Sequence, residues 1–414
     1  MKHELPAPNY DEALTPSYRL EDPLQLASGE RVSDAADFRA RRRPELLELF
    51  RRHVYGRLEA SLEVEVTEAC APRALPAGLG RARELDIALT SAAGKILTVR
   101  LLLHVPTRPE PVPALLGLNL FGNQTVHPDP SIRLAQGWLP ENPGLGLVGG
   151  IATEASRGMH AGRWPVELAL SRGYALATAY AGDIDPDFDD GFHNGLHALL
   201  PDVGLPRPDD APGTLAAWSF GLSRLLDALS RVPEIDAARV AVIGHSRLGK
   251  AALWAAAQDE RFALAISNQS GCGGATLSKR RFGERLLHIN RRFPHWFCAG
   301  FHRFNEREHE LPLDQHLLLA LQAPRPVYVA SAAADLWADP LGELLACQAA
   351  SPVYDLFGKA GLPATSELPE PAGSLGVQVG YHLRPGSHDI TPRDFWHYLD
   401  FADRHLGRTD DSGR

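Results

Sequence analysis

Cysteine is scarce in this chain: four among 414 residues, Cys70, Cys272, Cys298 and Cys347. No pair has C-x-x-C spacing and no histidines cluster at zinc-like intervals, which excludes zinc-finger, zinc-ribbon and thiol-redox motifs. The separations leave one bridge open, Cys272 to Cys298; buried free thiols are the plainer expectation. Long apolar runs are missing as well. No stretch has the length to span a bilayer, and the opening MKHELPAPNYDE lacks an apolar h-region, so no membrane partner is expected. Nor is there a basic tail or long basic face: the formal charge is −9, and Arg281, Arg285, Arg291 and Arg292 are interleaved with aromatic and apolar residues. Nucleic acid is therefore not an expected partner. No internal repeat is evident.

What is present is hydrophobic mass, 44% of the chain, ample for a large core. Length alone suggests two domains, but the order of elements reads as one α/β domain with long loops. Residues 1–32, proline-rich and acidic, read as an arm lying over a body of residues 33–410. Asp37 to His53 is a charged helix that Pro44 would confine to a start near itself. Strand-like runs follow at Leu62–Val66, Leu85–Leu89, Ile96–Val105 and Val112–Leu120, the antiparallel start of a mixed, mostly parallel sheet. Gly173–Tyr180, Phe262–Ser267 and Pro326–Ser331 add strands, while Leu215–Leu229 and Arg393–Arg404 have helical spacing. Insertions are expected near residues 120–150, 183–211 and 272–315. The second contains Asp183, Asp185, Asp187, Asp189 and Asp190, but it lacks the glycine and terminal glutamate of a calcium loop. It reads as a solvated acidic loop, and no metal or other cofactor is expected.

The centre of the chain is Val240 to Ala257, VAVIGHSRLGKAALWAAA. Four apolar residues suit a buried strand, and the alanine-rich run after Ser246 suits a helix. Gly244 and Gly249 flank the serine, one residue off the usual G-x-S-x-G at the second glycine, in the setting of a nucleophile elbow. Such a turn exposes a hydroxyl and sets backbone N–H groups behind it. A serine needs a base to take its proton and an acid to orient that base, in the chain order serine, acid, histidine for this kind of sheet. His388, in RPGSHD, supplies the imidazole. Asp335 follows the strand ending near Ser331 most closely and is the preferred acid; Asp339 is the alternative.

These pieces resemble the glucuronoyl esterases, a carbohydrate esterase family, and in particular their bacterial branch. The likeness rests on GHSRLGKAALWAAAQDERFALAISNQSGCGG, the RFGE ending at Glu284, FPHWFC, DLWADP and RPGSHD. It implies an α/β-hydrolase fold, a three-layer sandwich with loop insertions around the cleft. It also implies hydrolysis of the ester between a glucuronic acid of xylan and a lignin-type alcohol. By resemblance Ser246 is the nucleophile, His388 the base, and Arg247 the oxyanion stabiliser, while Lys250, Glu284 and Trp337 meet the sugar. Gln269 and Asn123 are expected to contact substrate as well, with Asn119 and Gln124 at the near end of the cleft. Fungal members carry their acid at the position of Gln269, and an amide has no charge to support an imidazolium. Asp335 is left to serve, as in the bacterial branch. The partners implied are uronic acid esters of xylan and lignin fragments, the protein acting as a monomer, secreted or periplasmic, although the chain shows no signal peptide.

A cation at Arg247 opposes the dipole of the helix it opens, so a functional reason for it is sought. Lys250, one turn after Ser246, can reach the same side of the helix. Two other readings stay open: an esterase for acetyl or other acyl groups on polysaccharides, and an inactive carbohydrate-binding protein of the same fold.

Overall fold

The structure, a computed structural model, describes residues 5–201, 206–365, 367–371 and 373–407. An 11-stranded sheet runs through it. Its long strands are β1 Leu62–Glu68, β2 Gly80–Ser91, β3 Ile96–Pro106, β4 Val112–Asn119, β5 Ala175–Tyr180, β6 Ile235–His245, β7 Leu264–Asn268, β8 Val327–Ala332 and β9 Val379–Arg384. They lie in the order β1-β2-β3-β5-β4-β6-β7-β8-β9. β1, β2 and β3 are antiparallel, β3 meets β5 antiparallel, and every later neighbour from β5 to β9 is parallel. This is the mixed, mostly parallel sheet of an α/β-hydrolase.

Helices cover both faces, which is why the central strands are apolar without alternation. In β6, Val240 and Val242 point into one core while Ala241 and Ile243 point into the other. The first core holds α2 Thr214–Leu229, α3 Arg247–Gln258 and α4 Pro340–Leu356; the second holds α1 Val166–Ser171 and α5 Pro392–Leu406. The helical spacing of Trp218, Leu222, Leu225 and Leu226 does place them in the core. α5 packs Phe395, Tyr398, Leu399 and Ala402, an i, i+3, i+4, i+7 set, and starts with a capping box between Thr391 and Asp394.

One expectation needs correcting, a strand is added, and the plainer reading of the cysteines holds. The helix around Pro44 begins earlier, at Ala35, where the Asp34 carboxylate accepts from the Ala36 and Asp37 N–H groups, and a π turn over Phe38–Arg42 lies just before the proline. β9 was not anticipated as a strand; its residues Val379–Arg384 are read only once they are seen paired beside β8. All four cysteines are free, so Cys272 and Cys298 form no bridge. The arm, residues 5–32, is tied down by charge: Glu12 pairs with Arg280 and Glu21 with Lys279. Among the described residues no helix is long and apolar enough to cross a membrane.

Packing on β3 leaves His104 buried, and burial beside His127 pushes its pKa from 6.5 down to about 3. Below pH 6.5 the unfolded chain binds a proton that the folded chain refuses, so stability present at neutral pH is lost as pH falls toward 3. We expect the melting temperature to fall from pH 7 to pH 5, and to fall less in His104→Leu. Equal falls in differential scanning calorimetry would show that His104 titrates normally in the fold.

Candidate active site

The turn between β6 and α3 determines the site. Ser246 holds φ 57°, ψ −128°, a backbone region that costs a non-glycine residue about 1–3 kcal/mol. A Cβ on Gly244 would lie 2.0 Å from the Leu248 carbonyl oxygen, and one on Gly249 would lie 3.0 Å from Ser270 Cβ. The offset spacing follows: Gly244 lets the chain double back, while Gly249 lets α3 sit against the loop after β7. The Ser246 N–H donates to the Asn268 carbonyl at 2.9 Å, fastening the turn to the end of β7.

Ser246, Arg247, Lys250, Gln269, Glu284, Asp335, Trp337 and His388 all line one cleft of about 380 Å³. At its back the His388 Nδ1–H donates to Asp335 Oδ2 at 2.6 Å. A carboxylate only accepts, so the neutral ring has its hydrogen on Nδ1 and its lone pair on Nε2. The acid is buried, with 4% of its side chain exposed against 42% for the imidazole. Asp339 does not reach this pair. It is fully buried, accepts from Arg280 Nε at 2.9 Å and from the Gly342 N–H at 2.9 Å, and so caps α4.

Two side chains shape the loop that presents His388. Arg384 donates to the carbonyls of Pro385, Ser387 and Asp389 at 2.9, 2.8 and 2.7 Å, and is itself anchored on Asp394 at 3.1 Å. Gln269 grips the same loop from the other side: its amide donates to Asp389 O at 2.8 Å and accepts from Asp389 N at 3.1 Å. Both ends of that amide thus hold backbone, so Gln269, which also lines the cleft, positions the histidine loop. The neighbouring His245 lies with its ring 4.6 Å from that of His388 and bonds Asn268 at 2.6 Å. Burial, reinforced by His388, holds its pKa far below 6.5, so it adds no second charge at neutral pH.

Arg247 is neither a loose surface cation nor unsupported. Its guanidinium lies over Trp296 and Phe293, 4.5 and 4.9 Å from the ring centroids, and pairs with Asp187 at 2.5 Å. Asp187 also accepts from His295 at 3.0 Å and from the Trp296 indole at 2.7 Å. Burial works against this carboxylate, but the donors around it hold it below its usual range. The acidic loop is therefore not simply solvated: Asp187 orients Arg247, and Asp185 is buried against Thr214 at 2.7 Å. Sequence reasoning missed both, because a run of aspartates carries no sign of which one turns inward.

Lys250 is buried beneath the cleft, donating to the carbonyls of Ser270 and, at 2.7 Å, Cys272. Burial lowers its pKa and nearby Glu284 opposes the shift. Glu284 is raised by burial and pulled back by Lys250, Arg292 and the Trp337 indole. Behind them lies another group that the sequence did not mark. Glu343 accepts from Ser331 at 2.6 Å and from the Gly271 N–H at 3.0 Å, and burial lifts its pKa to about 8.

Asn123 does not reach the cleft. It bonds Asn119 at 2.7 Å and the Arg100 carbonyl at 3.0 Å, bordering a separate polar cavity of about 300 Å³ with Arg133, Tyr180 and Asp183. Asn119 borders neither that cavity nor the cleft, and Gln124 is spent inside its own loop on Phe121 O and Ala135 N. Among the described residues no group of three or more His, Cys, Asp or Glu is placed to hold a metal. The arrangement is suited to acyl transfer on a serine, with a cation beside the hydroxyl and a charged, polar floor on one side.

A family model described as glucuronyl esterase of fungi matches residues 207–358. The chain is 46% identical over 401 residues to a carbohydrate esterase from an unknown prokaryotic organism, spanning 96% of this chain and 92% of that one. It is also similar to the solved structure of a promiscuous esterase of carbohydrate esterase family 15 from a marine bacterial metagenome. There the TM-score is 0.90 at 45% identity, with 96% of this chain and 100% of that one covered. A glucuronoyl esterase from Solibacter usitatus superposes with TM-score 0.88 at 42% identity, over 95% and 100% of the two chains.

The two aspartates after β8 should separate cleanly on substitution. Asp335→Asn should lower kcat by about 10,000-fold while the protein stays folded, since the amide selects the wrong tautomer of His388. Asp339→Asn should instead lower stability, by less than the about 3–5 kcal/mol of a fully broken buried pair because Arg280 keeps Glu12, with kcat of the folded fraction nearly intact. The reverse ranking, in purified variants checked by circular dichroism, would move the acid role to Asp339.

Proposed function

Because the chain belongs to the glucuronoyl esterase family, carbohydrate esterase family 15, we propose that it hydrolyses the ester between a glucuronic acid, free or 4-O-methylated on xylan, and a lignin-type alcohol. The observation that carries this reading is that Ser246 and the His388–Asp335 pair share one cleft with Arg247, Lys250 and Glu284. Those three are more polar equipment than a small acyl group would need.

His388 Nε2 takes the Ser246 hydroxyl proton as Oγ attacks the ester carbonyl carbon, and the carbonyl π electrons move onto oxygen. Arg247, always charged and held on Asp187, donates to that oxyanion together with the N–H groups that the first turn of α3 leaves without intrahelical partners. Collapse breaks the bond to the alcohol oxygen, which leaves with the proton from His388. The uronoyl group is then an ester of Ser246. Water attacks it, passing a proton to His388 and then back to the departing serine oxygen, which releases the free uronate. Asp335 stays ionised throughout and stabilises the imidazolium. Lys250, Glu284 and Trp337 face the sugar ring, whose hydroxyls meet the polar groups of that side.

The test is kcat/KM on a benzyl glucuronate ester against an acetylated xylo-oligosaccharide, with Ser246→Ala as blank. Wild type should prefer the glucuronate, Ser246→Ala should lose turnover on both, and Lys250→Ala should lose more on the glucuronate. Preference for acetyl release would assign the site to the acyl-esterase reading. No labelling of Ser246 by a phosphonate would assign it to an inactive binder.

A further inference from the structure

The arm is fastened to residues adjoining the cleft. The Asn9 carbonyl accepts from the Gly283 N–H at 2.8 Å, one residue before Glu284, and the Pro6 carbonyl meets His288 Nε2 at 2.8 Å. The His288 ring in turn lies 5.6 Å from that of Trp337, and the Glu284 N–H donates to the Trp337 carbonyl at 2.9 Å. With Glu12 held on Arg280, the segment from Pro6 to Glu12 is fastened along the Glu284 and Trp337 edge of the cleft. Tyr10 is in the middle of it. Its ring meets Phe282 edge-on at 6.2 Å, yet it stays 47% exposed. Partial burial, and after it the charges of Asp335 and Glu284, raise the pKa of its hydroxyl. Tyr10 thus presents an open ring face and a hydroxyl on a segment whose backbone is fastened next to Glu284.

We propose that Tyr10 forms a second sugar subsite, stacking its ring on a pyranose of the xylan chain that carries the uronate. This rests on the uronate reading of the cleft. In that reading the ester carbonyl is at Ser246, the alcohol leaves beside His388, and the uronate ring extends to Glu284 and Trp337. The rest of the polysaccharide must leave the cleft from that ring, and Tyr10 stands on the edge it faces. A pyranose has an apolar face of C–H groups that a flat aromatic ring removes from water, and hydroxyls around its edge that a phenol can bond. The aromatic ring of a lignin alcohol, which leaves beside His388, would be a separate contact.

Two benzyl esters test this: one of glucuronate alone, one of glucuronate carried on a xylotriose. In Tyr10→Ala the ratio of kcat/KM for the xylotriose ester to that for the bare ester should fall roughly 3- to 10-fold, through KM and not kcat. Tyr10→Phe, which keeps the ring, should restore most of it. An unchanged ratio overturns the subsite, whether both esters keep wild-type rates or both lose equally; equal loss would mean that Tyr10 only props the arm. A loss that instead follows the alcohol, seen when methyl replaces benzyl, overturns it in favour of an aromatic-alcohol contact. Wild type inactive on both esters would reject the uronate reading itself, and the subsite with it.

Discussion

One backbone constraint governs the rest: Ser246 must be held at φ 57° between a strand buried on both faces and a helix that starts immediately. A turn in that region persists only if its surroundings over-determine it. Gly244 clears the path, the Asn268 carbonyl takes the serine N–H, and α3 is pressed on the sheet by a run of alanines and leucines. The parallel strands β6 to β9 all end at the same edge. The turn, the loop bearing Gln269, the acid loop and the histidine loop therefore converge there, as crevices at the carboxyl ends of open α/β sheets do.

Convergence brings charges together out of water, and each is compensated by a nearby group. Arg247 has Asp187, Arg280 has Asp339, Arg384 has Asp394, and Lys250 has two carbonyls and the field of Glu284. These contacts do little for net stability, since desolvation offsets much of their attraction. Their value is in direction: a planar guanidinium with several fixed acceptors cannot swing. Arg384 turns three loop carbonyls inward, which leaves His388 to be presented toward the cleft. Gln269, with no charge to offer the imidazole, fixes that loop through an amide that both donates and accepts.

Segments far apart in sequence finish the site. Asp187 comes from the loop after β5, His295 and Trp296 from the segment after β7, and the Glu284–Trp337 edge is bordered by residues 6 to 12. The arm is tied to residues beside the cleft lining, at Gly283 and His288, as well as to the body.

By itself the sequence determined the local features. Periodicity marked most strands and helices, and small residues around Ser246 marked the turn. Chain order placed Asp335 after a legible strand and His388 after it in a glycine- and proline-bearing loop before the last helix; that a strand of the same parallel sheet precedes His388 as well emerged only on folding. Folding decided what depended on direction. Asn123 and Gln269 are the same kind of residue in a linear reading, yet one faces a different cavity and the other grips Asp389. Asp187 and Asp189 sit two apart in an acidic run, and the first turns inward to Arg247 while the second stays exposed. β9 was not legible, nor was the burial of Glu343. The physical reason is common to all of these. Which way a side chain points, and what charge or carbonyl meets it there, is set by residues tens to hundreds of positions away, which only packing brings within hydrogen-bonding distance.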